Sequence, residues 1–373
     1  MIAAALQTFQ DDMKQRKRVI SLFLAKERNF LWLVTLALLA SGIFYETPQI
    51  AMWIGFALAG YSAIANDSIQ TLGTFIASNS DKKWWQLWLY VGGIFVVTII
   101  SGWIVYNGDV SFQRLTAKGF SEAPKNFQFL QIASPLILLM LTRFRMPVST
   151  TFLLLSCFSA NLEGIAKVTV KSLSGYGVAF VTALAVWVLL RKPLEKFSQG
   201  VVGMKWTVIQ WVVSGALWSI WIMQDAANIA VFLPRTLGAY EVGAFTLYIF
   251  FGLGILFYLK GDKIQTIVQE KSQVTHIKAA TAIDFVYALI LLLFQKMSNI
   301  PMSTTWVFIG LLGGREIAFL INNRFEEKKK IFKMVRRDVS SAVIGLIISI
   351  MIAMAVNPII FDEILAKVGY YGV

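Results

Sequence analysis

Apolar runs dominate the chain, and the longest continue for 15 to 20 positions without a charged residue. Examples are "FLWLVTLALLASGIFY" (30–45), "LWLYVGGIFVVTIISGWIVY" (87–106) and "AVIGLIISIMIAMAV" (342–356). A helix that crosses a bilayer needs about 20 such residues, far more than a strand or a soluble amphipathic helix supplies in one run. Eleven apolar segments follow one another, at about 29–46, 50–79, 86–107, 127–142, 147–162, 174–190, 206–234, 240–259, 279–297, 301–321 and 340–357. Polar motifs interrupt several of them. The pattern predicts an all-α polytopic membrane protein in which some of the helices are broken.

Composition narrows the class further. Hydrophobic residues make up 57% of the 373 and charged residues only 15%, with a mean hydropathy of +0.65. Soluble domains carry about 25% charged residues, so that class is excluded. The net charge of +13 would suit nucleic acid in a soluble protein, but here it points to anionic lipid and to topology. With the N-terminus inside and one crossing per segment, 25 of the 34 Lys and Arg fall in inside loops and 8 in outside loops, with Arg315 in the membrane. That asymmetry predicts a cytoplasmic N-terminus and an external C-terminus in a plasma (inner) membrane. The lone Cys157 allows no internal disulfide, and the lone His276 sits in a basic loop. No transition-metal site and no cofactor are expected.

Two motifs recur. "AGYSAIANDSIQTLG" is echoed by "SIWIMQDAANIAVFLPRTLG" (219–238), aligning Asp67 with Asp225. "RMPVSTTFLLL" (145–155) is echoed by "NIPMSTTWVFIGLLGG" (299–314), aligning Ser149, Thr150 and Thr151 with Ser303, Thr304 and Thr305. Asp67 precedes Ser149 by 82 residues and Asp225 precedes Ser303 by 78. Each copy holds five segments, an odd number, so the two copies have opposite orientations. The expected organisation is a basic arm (1–28), an extra transmembrane helix (29–49), a first transport repeat (50–190), a cytoplasmic linker (191–205), a second, inverted repeat (206–357) and a tail (358–373). Inverted repeats with broken helices at the midplane are the architecture of secondary transporters.

An ionised Asp near the bilayer centre costs roughly 2.5–3.5 kcal/mol. A hard cation held by oxygen ligands offsets that cost. Around Asp67 the candidate ligands are Asn66, Gln70, Thr71 and Thr74, and around Asp225 they are Gln224 and Asn228. Gly73 and Pro234 are expected to interrupt the two helices. Pro147 and Pro301 fit the first turn of a helix. They place Ser149 and Ser303 near helix N-termini, where free N–H groups favour an anion. Ser and Thr also serve ordinary packing in membrane helices; it is their repetition at matched spacing, beside repeated Asp, that points to a site. Gly310, Gly313 and Gly314 are expected to permit close packing, and most Trp and Phe to face lipid or its interface. Asp284 and the pair Arg315–Glu316 read as a buried ion-pair cluster joining two helices, with gating or coupling as the other reading. Arg235 is either an external anion-attracting residue or an interfacial arginine.

The paired motifs resemble those of the PiT family of inorganic phosphate transporters, with its "GANDVANA"-like and "PVSTT"-like stretches in each half. "ANDSIQTLGT" (65–74) keeps the Asn–Asp pair, with Gln70 in place of the second Asn. "QDAAN" (224–228) keeps Asp225 and Asn228, with Gln224 in place of the first Asn. "PVSTT" (147–151) is intact and "PMSTT" (301–305) differs at one position. Phe152 and Trp306 stand where the family usually has histidine. The resemblance covers about 50–357 and implies a symporter binding an oxyanion and a cation between inverted repeats. It implies that Asn66, Asp67, Asp225 and Asn228 contribute to substrate and cation sites, opposite Ser149–Thr151 and Ser303–Thr305.

The expected activity is therefore import of inorganic phosphate with a cation, Na⁺ ahead of H⁺, with sulfate or another oxyanion as the alternative. Phosphate can donate hydrogen bonds to Asp67 or Asp225 and sulfate cannot, which favours phosphate. An intramembrane enzyme is disfavoured because no membrane histidine is present to serve as base. A channel would not need duplicated carboxylate motifs. The partners are the anion, the cation and lipid, with a homodimer left open.

Overall fold

With no water in a bilayer core, backbone groups must pair within their own segment, and a helix does this at every residue. The computed structural model describes residues 27–117, 119–143, 148–189, 203–259, 276–321 and 325–368. Among the described residues all regular structure is helical. The expected arm before residue 27, most of the 191–205 linker, Pro147 and the side chain of Gln70 lie outside the described residues.

The chain begins with α1 (Glu27–Phe44) and α2 (Pro48–Ser62), which passes without a break through a π turn (Ala63–Asp67) into α3 (Ser68–Ser78). There follow α4 (Trp84–Val105), a 3₁₀ turn (Arg114–Thr116) whose Arg114 and Leu115 are buried, and α5 (Phe129–Arg143). A second π turn (Thr151–Leu155) leads to α6 (Leu162–Leu189), α7 (Met204–Ala230) and α8 (Ala239–Tyr258). The last elements are α9 (Ile277–Met297), α10 (Thr304–Leu320), α11 (Phe325–Val356) and α12 (Pro358–Val368). Eight helices among the described residues are long and apolar enough to cross a membrane. Three of the eleven expected segments fall short of that length. These are α5 with 15 residues, α10 with 17 and the stretch around the Thr151–Leu155 turn. The expected tail is also partly helical, as α12.

Apolar side chains cover the outside of the fold, among them Trp32, Ile43, Val97, Val181, Val212, Phe251 and Met351. Such a surface would aggregate in water and is at home against lipid tails. Many aromatic residues nevertheless point inward, contrary to the expectation that most face lipid. Trp218 and Trp221 stack at 4.8 Å between centroids, and Phe75, Phe152, Phe232 and Phe245 are buried.

The backbones of α6 and α10 approach each other closely. A Cβ on Gly310 would lie 2.4 Å from the Tyr176 carbonyl oxygen, and one on Gly314 would lie 2.1 Å from that of Phe180. Only glycine fits at these two positions, as in other close-packed membrane helix pairs. Gly313 differs, because an added Cβ there would make ordinary contact with the Phe180 ring at 3.6 Å.

The expected helix breaks fall elsewhere. Gly73 lies inside unbroken α3, and Pro234 lies beyond the end of α7. The distortion at Asp67 is instead the π turn, whose wider backbone leaves Ser68 Oγ to donate to the Ala63 carbonyl at 3.1 Å. Asp225 sits on a regular helix.

Candidate functional site

Trp221, Gln224, Asp225 and Asn228 recur at intervals of three and four, so one face of α7 carries them all. Asp67, Thr71, Thr74 and Ser78 form a similar stripe running from the π turn along α3. These residues are buried, as are Ser149–Thr151 and Ser303–Thr305.

The two repeated motifs meet as pairs. Thr150 Oγ1 donates to Asp67, and Asn66 Nδ2 donates to the other oxygen of that carboxylate at 2.7 Å. Thr304 Oγ1 donates to Asp225, and Asn228 Nδ2 donates to its Oδ1 at 2.8 Å. The corresponding threonine of each STT motif therefore holds the corresponding aspartate. Trp221 Nε1 donates to Thr304 Oγ1 at 3.2 Å, fixing that hydroxyl from the α7 side.

Contacts also cross between the pairs. Thr151 Oγ1 lies 3.5 Å from Asp225 Oδ1 and accepts from Asn228 Nδ2 at 3.1 Å. Phe152 and Trp306, the residues that follow the two STT motifs, pack edge to face at 5.4 Å. Asp67 and Asp225 lie within each other's electrostatic field, and the buried Tyr287 hydroxyl lies in the field of both. Tyr287 donates to the Thr304 carbonyl at 3.0 Å. The site is thus one cluster built on five elements.

No family model, curated protein or solved structure matches the chain.

The serines have a narrower role than the sequence suggested. Ser149 Oγ accepts from the Phe152 N–H and Ser303 Oγ from the Trp306 N–H, each at 3.2 Å. Both act as helix N-caps. Pro301 stands three residues before α10 and is not in its first turn. The Ser303 N–H is engaged with Ser172 Oγ at 2.9 Å. Thr305 is buried in the first turn of α10.

Three buried oxygens at the cluster have no hydrogen-bond partner among the described residues. They are Asn228 Oδ1, Gln224 Oε1 and Thr71 Oγ1. A carboxylate only accepts, so the Asn228 amide must turn its NH₂ toward Asp225 and leave its oxygen unpaired. Gln224 spends Nε2 on the Leu291 carbonyl at 3.3 Å. Two of the three unpaired oxygens therefore flank Asp225, and Thr71 lies one turn beyond Asp67. Buried polar atoms left unpaired are costly, and hard cations coordinate oxygens of these kinds. A cavity of about 20 Å³ borders Asp225 and is lined by Ile64, Ser68, Trp218 and Trp221 among others. It has room for a water-sized body and is too small for a tetrahedral oxyanion.

The remaining charged candidates lie apart. Asp284 accepts from Thr74 Oγ1 and Ser214 Oγ, each at 2.5 Å, and has no cationic partner among the described residues. Arg315 pairs with its neighbour Glu316 at 2.7 Å. The expected ion-pair cluster of all three is therefore split. Arg235 donates to the carbonyls of Phe120, Glu122, Val231 and Leu233, clamping the 107–128 loop. Burial lowers its guanidinium to about 10, so it stays charged while serving as a clamp. Two buried basic residues, Arg114 and Lys171, carried no motif in the sequence and stand out only from their burial.

Proposed function

We propose that the protein is a secondary transporter that carries inorganic phosphate together with a cation, by alternating access between two inverted repeats. The observation that supports this best is the matched pairing of Asp67 with Thr150 and of Asp225 with Thr304. Two carboxylates buried in one cluster repel each other, and a cation between or beside them relieves that repulsion. The unpaired oxygens of Gln224, Asn228 and Thr71 supply neutral ligands. Na⁺ suits this all-oxygen set, and a proton on one carboxylate is the alternative.

The anion would bind after the cation, when the carboxylates are neutralised. Thr150 and Thr304 donate their hydroxyl hydrogen bonds to Asp67 and Asp225 here, so an oxyanion at the STT motifs requires those donors to turn. Phosphate suits such a site better than sulfate because its own protons can bond to the carboxylates. The limited room beside Asp225 fits a conformation in which the anion position has yet to open.

In this reading residues 50–190 and 206–357 are the two repeats. The loops at 108–126, 235–239 and 298–300 face outside, in keeping with the Lys and Arg asymmetry. The resemblance to PiT transporters in the four motifs points the same way. The test is uptake of labelled phosphate and sulfate into proteoliposomes, with Na⁺ and H⁺ gradients imposed separately. Phosphate accumulation driven by one of the gradients is expected. Accumulation of sulfate alone would reassign the substrate, and none under either gradient would refute the reading.

A further inference from the structure

Arg114 and Lys171 are cations buried at one end of the fold, and neither has a carboxylate within ion-pair distance among the described residues. Backbone carbonyls hold them instead. Arg114 Nη1 donates to the Ser298 carbonyl at 2.6 Å, and Lys171 Nζ donates to that same oxygen at 3.0 Å and to the Ile300 carbonyl at 2.6 Å. The two side chains therefore share an acceptor and feel each other's charge. Arg114 Nη2 and the third Lys171 N–H donate to no described group.

A groove of about 420 Å³ opens on Lys171. Its walls are one face of α6 (Glu163, Lys167, Val170) and the end of α9 with the following loop (Met297, Ser298). Lys167 is paired with Glu163 at 2.7 Å, which leaves the Lys171 amine as the basic group on the groove without a carboxylate partner among the described residues. Val170 and Met297 are exposed and apolar. The groove thus runs from charged residues at its rim to a lipid-facing wall. Arg114 does not itself line the groove and meets Lys171 at the shared Ser298 carbonyl, while its Nε points to the Met223 carbonyl at 3.5 Å, two residues before Asp225, and the guanidinium lies within the field of that carboxylate.

Taking charges out of water is costly, and carbonyl dipoles compensate less than an anion does. Burial lowers Arg114 only to about 10, so it is charged at neutral pH. Lysine and arginine donors converging from two sides are the usual means of binding a phosphate group.

We infer that Arg114 and Lys171 form an outer binding site for a phosphate group, separate from the paired carboxylates and reached through the α6–α9 groove. The group is either inorganic phosphate on its way to the central site or the headgroup of an anionic phospholipid seated along Val170 and Met297. The first form rests on the transport reading above, and the second does not.

The decisive variant is Lys171→Gln, which keeps N–H donors for the Ser298 and Ile300 carbonyls and removes the charge. Lys171→Arg should behave as wild type. Both are compared with wild type for phosphate uptake in proteoliposomes, and for equilibrium binding of labelled inorganic phosphate and of phosphatidylglycerol to the full-length protein in detergent. A rise in the KM for phosphate of about tenfold or more, with Vmax within about twofold and one fewer phosphate bound, identifies inorganic phosphate. Loss of phosphatidylglycerol binding with an unchanged KM identifies the lipid. If Lys171→Gln alters neither, the two cations are merely staples and the inference is wrong. Failure of wild type to transport phosphate would refute the transport reading alone, because the binding measurements in detergent would still decide the outer site.

Discussion

The two halves of the central site hold the same chemistry on different backbones. In the first half, Asp67 ends one π turn and Thr151 begins another. In the second half, Asp225 and Thr304 lie on regular α-helix. Each aspartate nonetheless accepts from the equivalent threonine. A π turn carries an extra residue and shifts the face that a side chain presents, and such turns concentrate at functional sites. What is common to the halves is thus the position of the carboxylate and hydroxyl, reached by distorting one pair of helices and not the other. The surroundings are also unequal. Asp225 touches both STT motifs and is flanked by two unpaired amide oxygens, whereas among the described residues the unpaired oxygen on the Asp67 stripe is Thr71 Oγ1. If the cluster holds a cation as proposed, the second half offers it more oxygen ligands among the described residues.

That asymmetry can be broken by substitution. Asp225→Asn removes the countercharge beside Gln224 and Asn228, and it should lower cation-driven uptake by about two decades or more. Thr304→Val keeps the shape and removes both the hydrogen bond to Asp225 and the acceptor of Trp221 Nε1; the loss of the bond to the carboxylate alone is worth about 1.5–3 kcal/mol or one to two decades in cation affinity. Asp67→Asn should cost less, about one decade, since no unpaired amide oxygen among the described residues adjoins Asp67 and Thr151 contacts Asp225 as well. Cation titrations of uptake rank the three, and an Asp67 effect equal to or above that of Asp225 would dissolve the distinction.

The smallest effect concerns packing outside the site. Gly314→Ala forces a Cβ against the Phe180 carbonyl and should destabilise the protein by about 1–3 kcal/mol. Gly313→Ala should stay within about 0.5 kcal/mol. Thermal melting in detergent separates them, and equal melting temperatures would contradict the close approach of α6 to α10.

Much of this organisation was legible in the sequence because membrane helices are written in long apolar runs, and because Asp67, Asp225 and the STT motifs are rare in such runs. Their burial in one cluster follows from the cost of leaving them in lipid. The π turns were not legible. Gly73 and Pro234 were the visible helix breakers, yet tertiary packing placed the distortion at Ala63–Asp67, in a stretch with no glycine or proline. Which carboxylate joins which partner was equally hidden. Asp284 looked like a mate for Arg315, but α3 and α7 bring Thr74 and Ser214 to it first. Arg114 and Lys171 carried no motif, since sequence spacing reports neither the burial of the 3₁₀ turn that holds Arg114 nor the side of α6 on which Lys171 lies. The unpaired oxygens of Gln224 and Asn228 emerge only when every hydrogen bond is accounted for.

The central claim is that the cluster moves a cation and an oxyanion together. Simultaneous measurement of ²²Na⁺ and ³³P-phosphate entry into the same proteoliposomes tests it most directly. The two fluxes should rise together, each should depend on the presence of the other, and both should vanish in Asp225→Asn. Phosphate entry that persists unchanged without Na⁺ or a proton gradient, or that survives Asp225→Asn, would contradict the account.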